Sequence, residues 1–276
     1  MPELPEVETV RRSLQTLVTG RVIGRVDVRL PRIVRTPSVD EFVADLQGAT
    51  IVDVHRRGKY LLIDLGGKTL ISHLRMEGRY GVYKAGEGVT AHTHVIFHLD
   101  GEKELRYQDV RQFGTMDLLP TSGLHDFAPL VQLGPEPLQK EFTSRYLRDA
   151  FSRRSTSVKA ALLDQHMVAG LGNIYVDEIL FRAKVHPMHS AETLSARALR
   201  CIVDETRNVI SDAIAHGGSS VKSYVNGYGE QGQYQFALNV YGKTGEPCVN
   251  CGASIVKMKV VGRGTHFCPK CQRQPR

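Results

Sequence analysis

The sequence predicts an α+β fold in which strands come first, helices second, and a small metal hairpin last. Three observations carry this. Between residues 20 and 120, short apolar runs flank Gly-Gly or Asp-Gly pairs, as in β-hairpins. Between Tyr146 and Ala215, apolar residues recur at helical spacing. The tail holds four cysteines in two C-x2-C pairs. The 276 residues, 41% hydrophobic and 24% charged, suffice for two domains with cores of their own.

The first element is a helix. From the opening "MPELPEVETV" onward, Val7, Val10, Leu14 and Leu17 form one apolar face. Pro5 suits the first turn, where its missing N–H costs nothing. Glu6 and Glu8 lie at the positive end of the helix dipole. Pro2 and Glu3 are thereby fixed just outside a helix start. "KYLLIDLGGKTLISHL" and "HVIFHLDGEKELRY" then read as hairpins about Gly66-Gly67 and Asp100-Gly101, and "GTMDLLP" as a further strand. Together they predict a β-sandwich or barrel-like layer with the first helix packed on it.

Two prolines and a glycine in "LGPEPL" break the chain at 133–138, which marks a linker. Beyond it, "SVKAALLDQ" and "AETLSARALRCIVDETRNVISDAI" are helical, with Ser190 as the N-cap of the second. "HMVAGLGNIYVDEILFRA" reads as a helix broken by Gly170 and Gly172. Five glycines in the sixteen residues from Gly217 to Gly232 predict a mobile loop. The implied organisation is a strand domain over 1–132, a linker over 133–140, a helical domain over 141–235 that includes the loop 217–235, and a hairpin over 236–276.

The formal net charge is +7, and from Tyr241 to Arg276 seven Lys/Arg stand against one acid. A basic tail points to a polyanionic partner. No apolar run is long enough to span a membrane, and the first residues lack an apolar signal core. A cytosolic, non-secreted protein is the default, with its five cysteines reduced or metal-bound.

Cys248, Cys251, Cys268 and Cys271 carry the strongest chemical signal. Two C-x2-C pairs separated by sixteen residues suit one structural Zn²⁺ held by a hairpin. Cys201 falls on an apolar helix face and reads as core. "GLGNIY" puts Asn173 at a helix junction, which is equally a phosphate site or a plain corner. "VGRGTHF" puts Arg263 between glycines, either as a free tip or as a fingertip in a DNA groove. Met76, Arg111 and Phe113 combine apolar and cationic groups able to fill a gap in a duplex; spacing alone favours core packing for Met76 and Phe113. Lys59, after "RRG", is ordinary surface charge or an amine for imine or proton-transfer chemistry.

Eight stretches taken together resemble one family: "MPELPEVET", "RRGKY", "SHLRMEGRY", "DVRQFG", "LGPEPL", "VAGLGNIYVDE", "HGGSSVKSYVN" and "VYGKTGEPCVNCG" with "RGTHFCPKCQR". They resemble the formamidopyrimidine-DNA glycosylases, bacterial enzymes that excise oxidised purines, over nearly the whole chain. The resemblance implies a helix-two-turn-helix in the helical domain and a β,δ-elimination lyase activity. It implies Pro2, exposed by loss of Met1, as nucleophile and Glu3 as acid/base. Lys59 then assists β-elimination and Arg263 δ-elimination. Met76, Arg111 and Phe113 fill the void left by the flipped base. His73, His92, Arg154, Lys159, Asn173, Tyr241 and Lys257 fall where the family contacts phosphate or lesion. The loop 217–235 is similar to the one that closes over 8-oxoguanine. The implied partner is double-stranded DNA with an oxidised purine opposite cytosine, bound by a monomer at the nucleoid. Gln112 departs from the pattern, since a basic residue often follows the arginine. The endonuclease VIII branch shares the nucleophile but prefers oxidised pyrimidines, and Leu4 and the void-filling set favour the purine branch. A non-catalytic DNA-binding protein is a third reading, which the Pro2-Glu3 pair with Lys59 disfavours.

Overall fold

A computed structural model of the protein describes residues 1–152, 154–220 and 224–274. The chain divides into two compact units, Met1–Val131 with His216–Gln233, and Gln132–Ala215 with Tyr234–Arg276.

The first unit opens with helix α1 (Leu4–Val18), which has Glu3 at its N-cap and Pro5 in its first turn. The Glu3 amide donates to Glu6 Oε2 at 2.8 Å, so one of the otherwise unpaired amides of the helix start is satisfied. Val7, Val10 and Leu14 are buried as their period implies; Val18, rather than the half-buried Leu17, completes the face. Strands β1 (Ile23–Val28) and β2 (Val34–Thr36), helix α2 (Val39–Leu46), and strands β3 (Asp53–Arg57), β4 (Tyr60–Asp64), β5 (Lys68–His73), β6 (Arg79–Lys84), β7 (Thr93–Leu99), β8 (Lys103–Gln108) and β9 (Thr115–Pro120) come next. They form a sheet of order β1-β7-β8-β6 and another of order β2-β9-β5-β4-β3. All pairings are antiparallel except β2 with β9. The hairpins expected about Gly66-Gly67 and Asp100-Gly101 are β4–β5 and β7–β8.

The two sheets share one core, which makes them a sandwich. Val26, Phe97 and Tyr107 come from one sheet, Leu61, Leu70 and Met116 from the other, and Val10 and Leu14 from α1. Burying each such aliphatic side chain contributes about 1.5–3 kcal/mol. Polar clamps fix α1 on β3: Arg56 Nε donates to Glu8 Oε2 at 3.1 Å, and Gln15 Nε2 to Asp53 Oδ1 at 2.7 Å. Burial pushes the Glu8 carboxyl up, but hydrogen bonds from Arg11, Arg12 and Arg56 outweigh it and hold the pKa below the ordinary value.

The short helix α3 (Ala128–Val131) ends the first stretch of this unit, and 133–136 form no helix or strand. The second unit contains α4 (Ser144–Phe151), α5 (Val158–Leu163), α6 (Asn173–Arg182), α7 (Ala196–Ala215) and the hairpin β10 (Val256–Val260) and β11 (Arg263–Phe267). Thr143 and Ser157 cap α4 and α5. Ser190 does not cap the last helix. It precedes only the 3-10 turn Ala191–Thr193, and Ser195 Oγ accepts the Ala198 amide instead, so α7 begins later than its period suggests. Cys201 is half-buried on α7, not core; its neighbours Ile202 and Val203 take the buried face. Gly170 and Gly172 do not break a helix but precede one, with Gly172 as the N-cap of α6.

The sequence reading groups 217–235 with the helical region. Residues Gly217–Gln233 instead lie in the first unit, because Gly227 N donates to Ser13 Oγ at 2.8 Å and Tyr224 OH to Glu6 O at 3.1 Å, both on α1. Residues 221–223 of that loop lie outside the described residues. Among the described residues no helix is long and apolar enough to cross a membrane.

In the second unit the buried Glu178 carboxylate on α6 organises the approach to the hairpin. Oε1 accepts the Val240 and Tyr241 amides, each at 2.9 Å, and Oε2 accepts the Asn239 amide at 2.8 Å and its Nδ2 at 3.0 Å. Glu178→Gln keeps the shape but turns an amide NH2 toward N–H donors. It should cost about 2–4 kcal/mol, read as a lower urea midpoint; an unchanged midpoint would show that this hub is dispensable.

Candidate functional site

The N-terminal corner is built by α1. Pro2 is buried and Glu3 is 4% exposed, at the end of the helix dipole that favours a carboxylate. Glu6, one turn on, faces both sides. Its Oε2 takes the Glu3 amide, and its Oε1 takes the Ser219 amide at 2.7 Å. Gly218 permits this approach: its φ is +79°, and a Cβ there would lie 2.8 Å from Glu6 Oε1. The Ser219 hydroxyl is buried with no hydrogen-bond partner among the described residues. Burial beside Glu6 raises the Tyr224 phenol pKa, so it stays a neutral donor to the α1 backbone.

Lys59 occupies the two-residue turn between β3 and β4 and is 6% exposed. His73 ends β5, buried, with the Tyr60 ring edge-on at 4.5 Å. Burial, together with the charges of Arg75, Lys59 and Arg35, lowers its pKa to about 3. The Arg75 amide donates to Nδ1 at 2.9 Å, which assigns the ring proton to Nε2. His73 is therefore a neutral donor at physiological pH.

A second cluster of this unit stands on the loop after β8. The buried Asp109 carboxylate accepts the Arg111 amide at 3.0 Å, the Phe113 amide at 2.9 Å and the Gly114 amide at 2.8 Å. With its amides so fixed, the loop turns outward. Phe113 is 53% exposed and carries the Arg111 guanidinium over its ring at 4.8 Å. Core packing, the reading spacing favours for Phe113, does not occur. Met76 is half-buried in the β5–β6 turn, and His92 is exposed just before β7. The Gln112 side chain accepts from Arg32, which brings a second guanidinium beside position 112, where the sequence has no basic residue.

In the second unit Asn173 opens α6, and its Nδ2 donates to Gly264 O on β11 at 2.9 Å. Its Oδ1 is buried and has no partner among the described residues. Arg263 begins β11, exposed, immediately after a Val261–Gly262 turn with φ of +41° and +76°. Two left-handed residues in succession make the hairpin turn that suits strand twist, at some strain for the valine. Lys257 is exposed on β10 opposite His266, and the Tyr241 ring lies edge-on to His266 at 5.0 Å. Lys159 departs from the expectation of a direct DNA contact. It is 0% exposed and paired at 2.6 Å with Asp177, whose other oxygen takes the His266 amide at 2.8 Å. It braces β11 from beneath. Arg154 stands apart, exposed and 4.0 Å from Asp164.

The four cysteine sulfurs lie within 4.8 Å of one another. Cys248 and Cys271 Sγ are 3.9 Å apart, and Cys251 and Cys268 Sγ 3.5 Å. A tetrahedron with Zn–S bonds of about 2.3 Å has edges of about 3.8 Å, so the donor set fits one zinc ion. Burial raises the Cys268 and Cys271 thiols, the latter to about 12, while the Ala253 amide lowers Cys251 to about 7. Four thiolates this close need a cation.

Family models match three stretches: the formamidopyrimidine-DNA glycosylase N-terminal domain over residues 1–116, the H2TH domain of the same enzymes over 133–225, and the zinc finger found in FPG and IleRS over 245–274. Formamidopyrimidine-DNA glycosylases of Listeria innocua and Bacillus subtilis are 51% and 52% identical over 273 residues each, covering 99% of this chain and 100% and 99% of theirs. The chain belongs to the formamidopyrimidine-DNA glycosylase family. Solved structures agree: the Lactococcus lactis enzyme with DNA containing an abasic site, and its wild-type form with DNA containing N7-benzyl-Fapy-dG, superpose with TM-scores of 0.94 at 41% and 42% identity, over 99% of this chain and 100% of theirs.

In this family member several organising residues escape sequence reading. Asp109, Asp177 and Glu178 look like solvated acids in the sequence, and only their amide partners, local for Asp109 and distant for Asp177 and Glu178, reveal them; Glu6 shows its helix-start role but not its bond to Ser219. Glu6 left the best trace, as the third residue of a helix behind Glu3.

Two outcomes are expected. His73 titrates near 6.5 in the unfolded chain and near 3 when folded, so its neutral burial stabilises the fold above pH 6.5 and that contribution is lost as pH falls toward 3. Its ring NMR signals should stay constant from pH 8 to pH 5; a midpoint near 6.5 would contradict its burial. Purified protein should hold one zinc per chain, and Cys248→Ser should abolish DNA binding while the β-sandwich stays folded. Zinc-free protein that binds DNA normally would contradict a structural metal.

Proposed function

We propose that the protein is a bifunctional DNA glycosylase and abasic-site lyase. It excises oxidised purines, 8-oxoguanine and formamidopyrimidines, opposite cytosine in duplex DNA. It acts as a monomer in base excision repair, in the cytoplasm at the nucleoid. The observation that carries this reading is the corner in which Pro2 and Glu3 are held at the start of α1 by Glu6. The complexes of the Lactococcus lactis relative with lesion-bearing DNA support it.

Loss of Met1 makes Pro2 the terminus. Its α-amine titrates near 8 in model peptides, so a useful fraction is neutral in the cell. The secondary amine attacks C1′ of the damaged nucleotide, and the C1′–N bond to the base breaks with a proton going to the base. Glu3 protonates the ring oxygen as the sugar opens, leaving an iminium ion. Because proline nitrogen carries two carbon substituents, that adduct is a cation without needing a further proton. Its positive charge draws electrons from the C2′–H bond, and the 3′ phosphate leaves in β-elimination, assisted by Lys59. Arg263 holds the remaining phosphate for δ-elimination.

The target lies inside the duplex and must be everted, at a cost of a few kcal/mol. Met76, Arg111 and Phe113 offset it by filling the void, with Arg111 facing the orphaned cytosine. His73, His92, Arg154, Asn173, Tyr241 and Lys257 contact phosphate or lesion. Lys159 acts through Asp177 and the hairpin. The loop 217–235 covers the everted base, and the four thiolates hold one structural Zn²⁺.

Glu3→Gln retains the shape of the corner but not its proton carrier. On a duplex with one 8-oxoguanine opposite cytosine, base release should fall at least about 100-fold with binding almost unchanged. Excision at the wild-type rate by Glu3→Gln would remove Glu3 from the mechanism.

A further inference from the structure

The sheet β1-β7-β8-β6 ends at β6, whose outer edge has no partner strand among the described residues. Beside that edge lies a cavity of about 550 Å³, walled by β6 on one side and by Asn226–Gly229 on the other. Leu17 and Val82 line it and rest against the core, and Tyr228, 52% exposed, stands on the loop wall. Leu17 is near the far end of α1. At 1.5 Å per residue, that is about 20 Å from the Glu3 corner, so the cavity is separate from that corner, although its wall Asn226–Gly229 belongs to the loop 217–235.

Its charge is unbalanced. Arg79, Lys84 and Lys103 line it, with Glu87 as the one acid. The Glu87 carboxylate is already an acceptor for the Lys84 amide at 2.7 Å, which closes the turn after β6. Lys84 and Lys103 are directly opposed across β6 and β8. Like charges so placed on neighbouring strands destabilise a sheet. The described residues offer neither lysine an ion pair. An anion between them would turn repulsion into attraction. The Arg79 guanidinium donates through Nε to Gln108 Oε1 at 3.0 Å, which anchors a third cation at the same cavity.

Opposed cations beside an apolar floor and an aromatic wall match the two halves of a nucleotide. The volume falls in the range of small-molecule sites, roughly 300–1,000 Å³. We propose that this cavity binds a nucleoside monophosphate, its phosphate between Lys84 and Lys103 and its base against Leu17, Val82 and Tyr228. The ligand can be a free nucleotide or the phosphorylated end of a DNA strand, which present the same chemistry. An occupant also adds contacts to Asn226–Gly229, whose Gly227 amide is tied to Ser13 on α1.

Calorimetric titration of the full chain with dGMP tests this, with deoxyguanosine, inorganic phosphate and a 5′-phosphorylated hexanucleotide as further probes. Each is repeated on protein saturated with a duplex carrying an abasic-site analogue. One dGMP should bind per chain with or without the duplex, and deoxyguanosine and phosphate alone should bind at least about tenfold more weakly. Lys84→Ala and Lys103→Ala should each weaken dGMP about tenfold. Without ligand, Lys84→Ala should melt no lower than the wild type, because it relieves a repulsion. Tighter binding of dGMP than of the hexanucleotide identifies a free nucleotide as the ligand, and the reverse identifies a strand end. The proposal is overturned by absence of saturable dGMP binding, by loss of that binding when the duplex is bound, by unchanged affinity in Lys84→Ala and Lys103→Ala, or by a lower melting point of ligand-free Lys84→Ala.

Discussion

One carboxylate holds the candidate catalytic corner together. Glu6 accepts the amide of Glu3, three residues before it, and the amide of Ser219, 213 residues after it. The first bond fixes where the chain enters α1. The second fixes the loop beyond α7 against the same helix. Both lie in a buried setting, where hydrogen bonds to an ionised carboxylate are worth more than neutral ones and a lost partner costs more than the bond contributes. Loop and helix start are thus two consequences of one side chain. The apolar face of α1 makes this possible, since Val7, Val10 and Leu14 anchor the helix to the core and leave its first turn at a fixed place.

Buried acids recur as organisers elsewhere in the chain. Asp109 gathers three amides and turns Arg111 and Phe113 outward. Asp177 joins Lys159 to the backbone of β11, and Glu178 gathers the segment 239–241. In each case the carboxylate faces protein donors rather than solvent: backbone amides for Asp109, where Arg111 and Phe113 stand outward, amides and an Asn239 side chain for Glu178, and a buried lysine with a backbone amide for Asp177. The arrangement suits a protein whose expected partner is a polyanion. Acids exposed on the binding face would repel phosphate, whereas buried acids order that face while their charge is largely neutralised locally.

Much of the fold was legible because it is written locally. The Gly66-Gly67 and Asp100-Gly101 hairpins, the α1 period and the two C-x2-C pairs each lie within a short stretch, and the structure contains all of them. What was not legible depends on which side chain takes which donor, near or far in sequence. Lys159 reads as a surface cation until Asp177 is placed beside it. Phe113 reads as core because an aromatic residue after a strand usually is, and only the Asp109 amide bonds explain its exposure. Ser190 was a reasonable cap by type, but Ser195 lies closer to the helix that forms. The loop 217–235 reads as mobile by its glycines, yet Gly218 and Gly227 are where the loop backbone closes on Glu6 and Ser13 of α1.

In the proposed mechanism the amine of Pro2, and no lysine, makes the covalent bond to DNA. Borohydride added during turnover on a duplex with a single 8-oxoguanine should reduce the iminium and lock protein to DNA. Proteolysis and mass spectrometry of that adduct locate the bond. The DNA should sit on the N-terminal peptide beginning at Pro2. An adduct on Lys59, or on any other lysine, would contradict that mechanism.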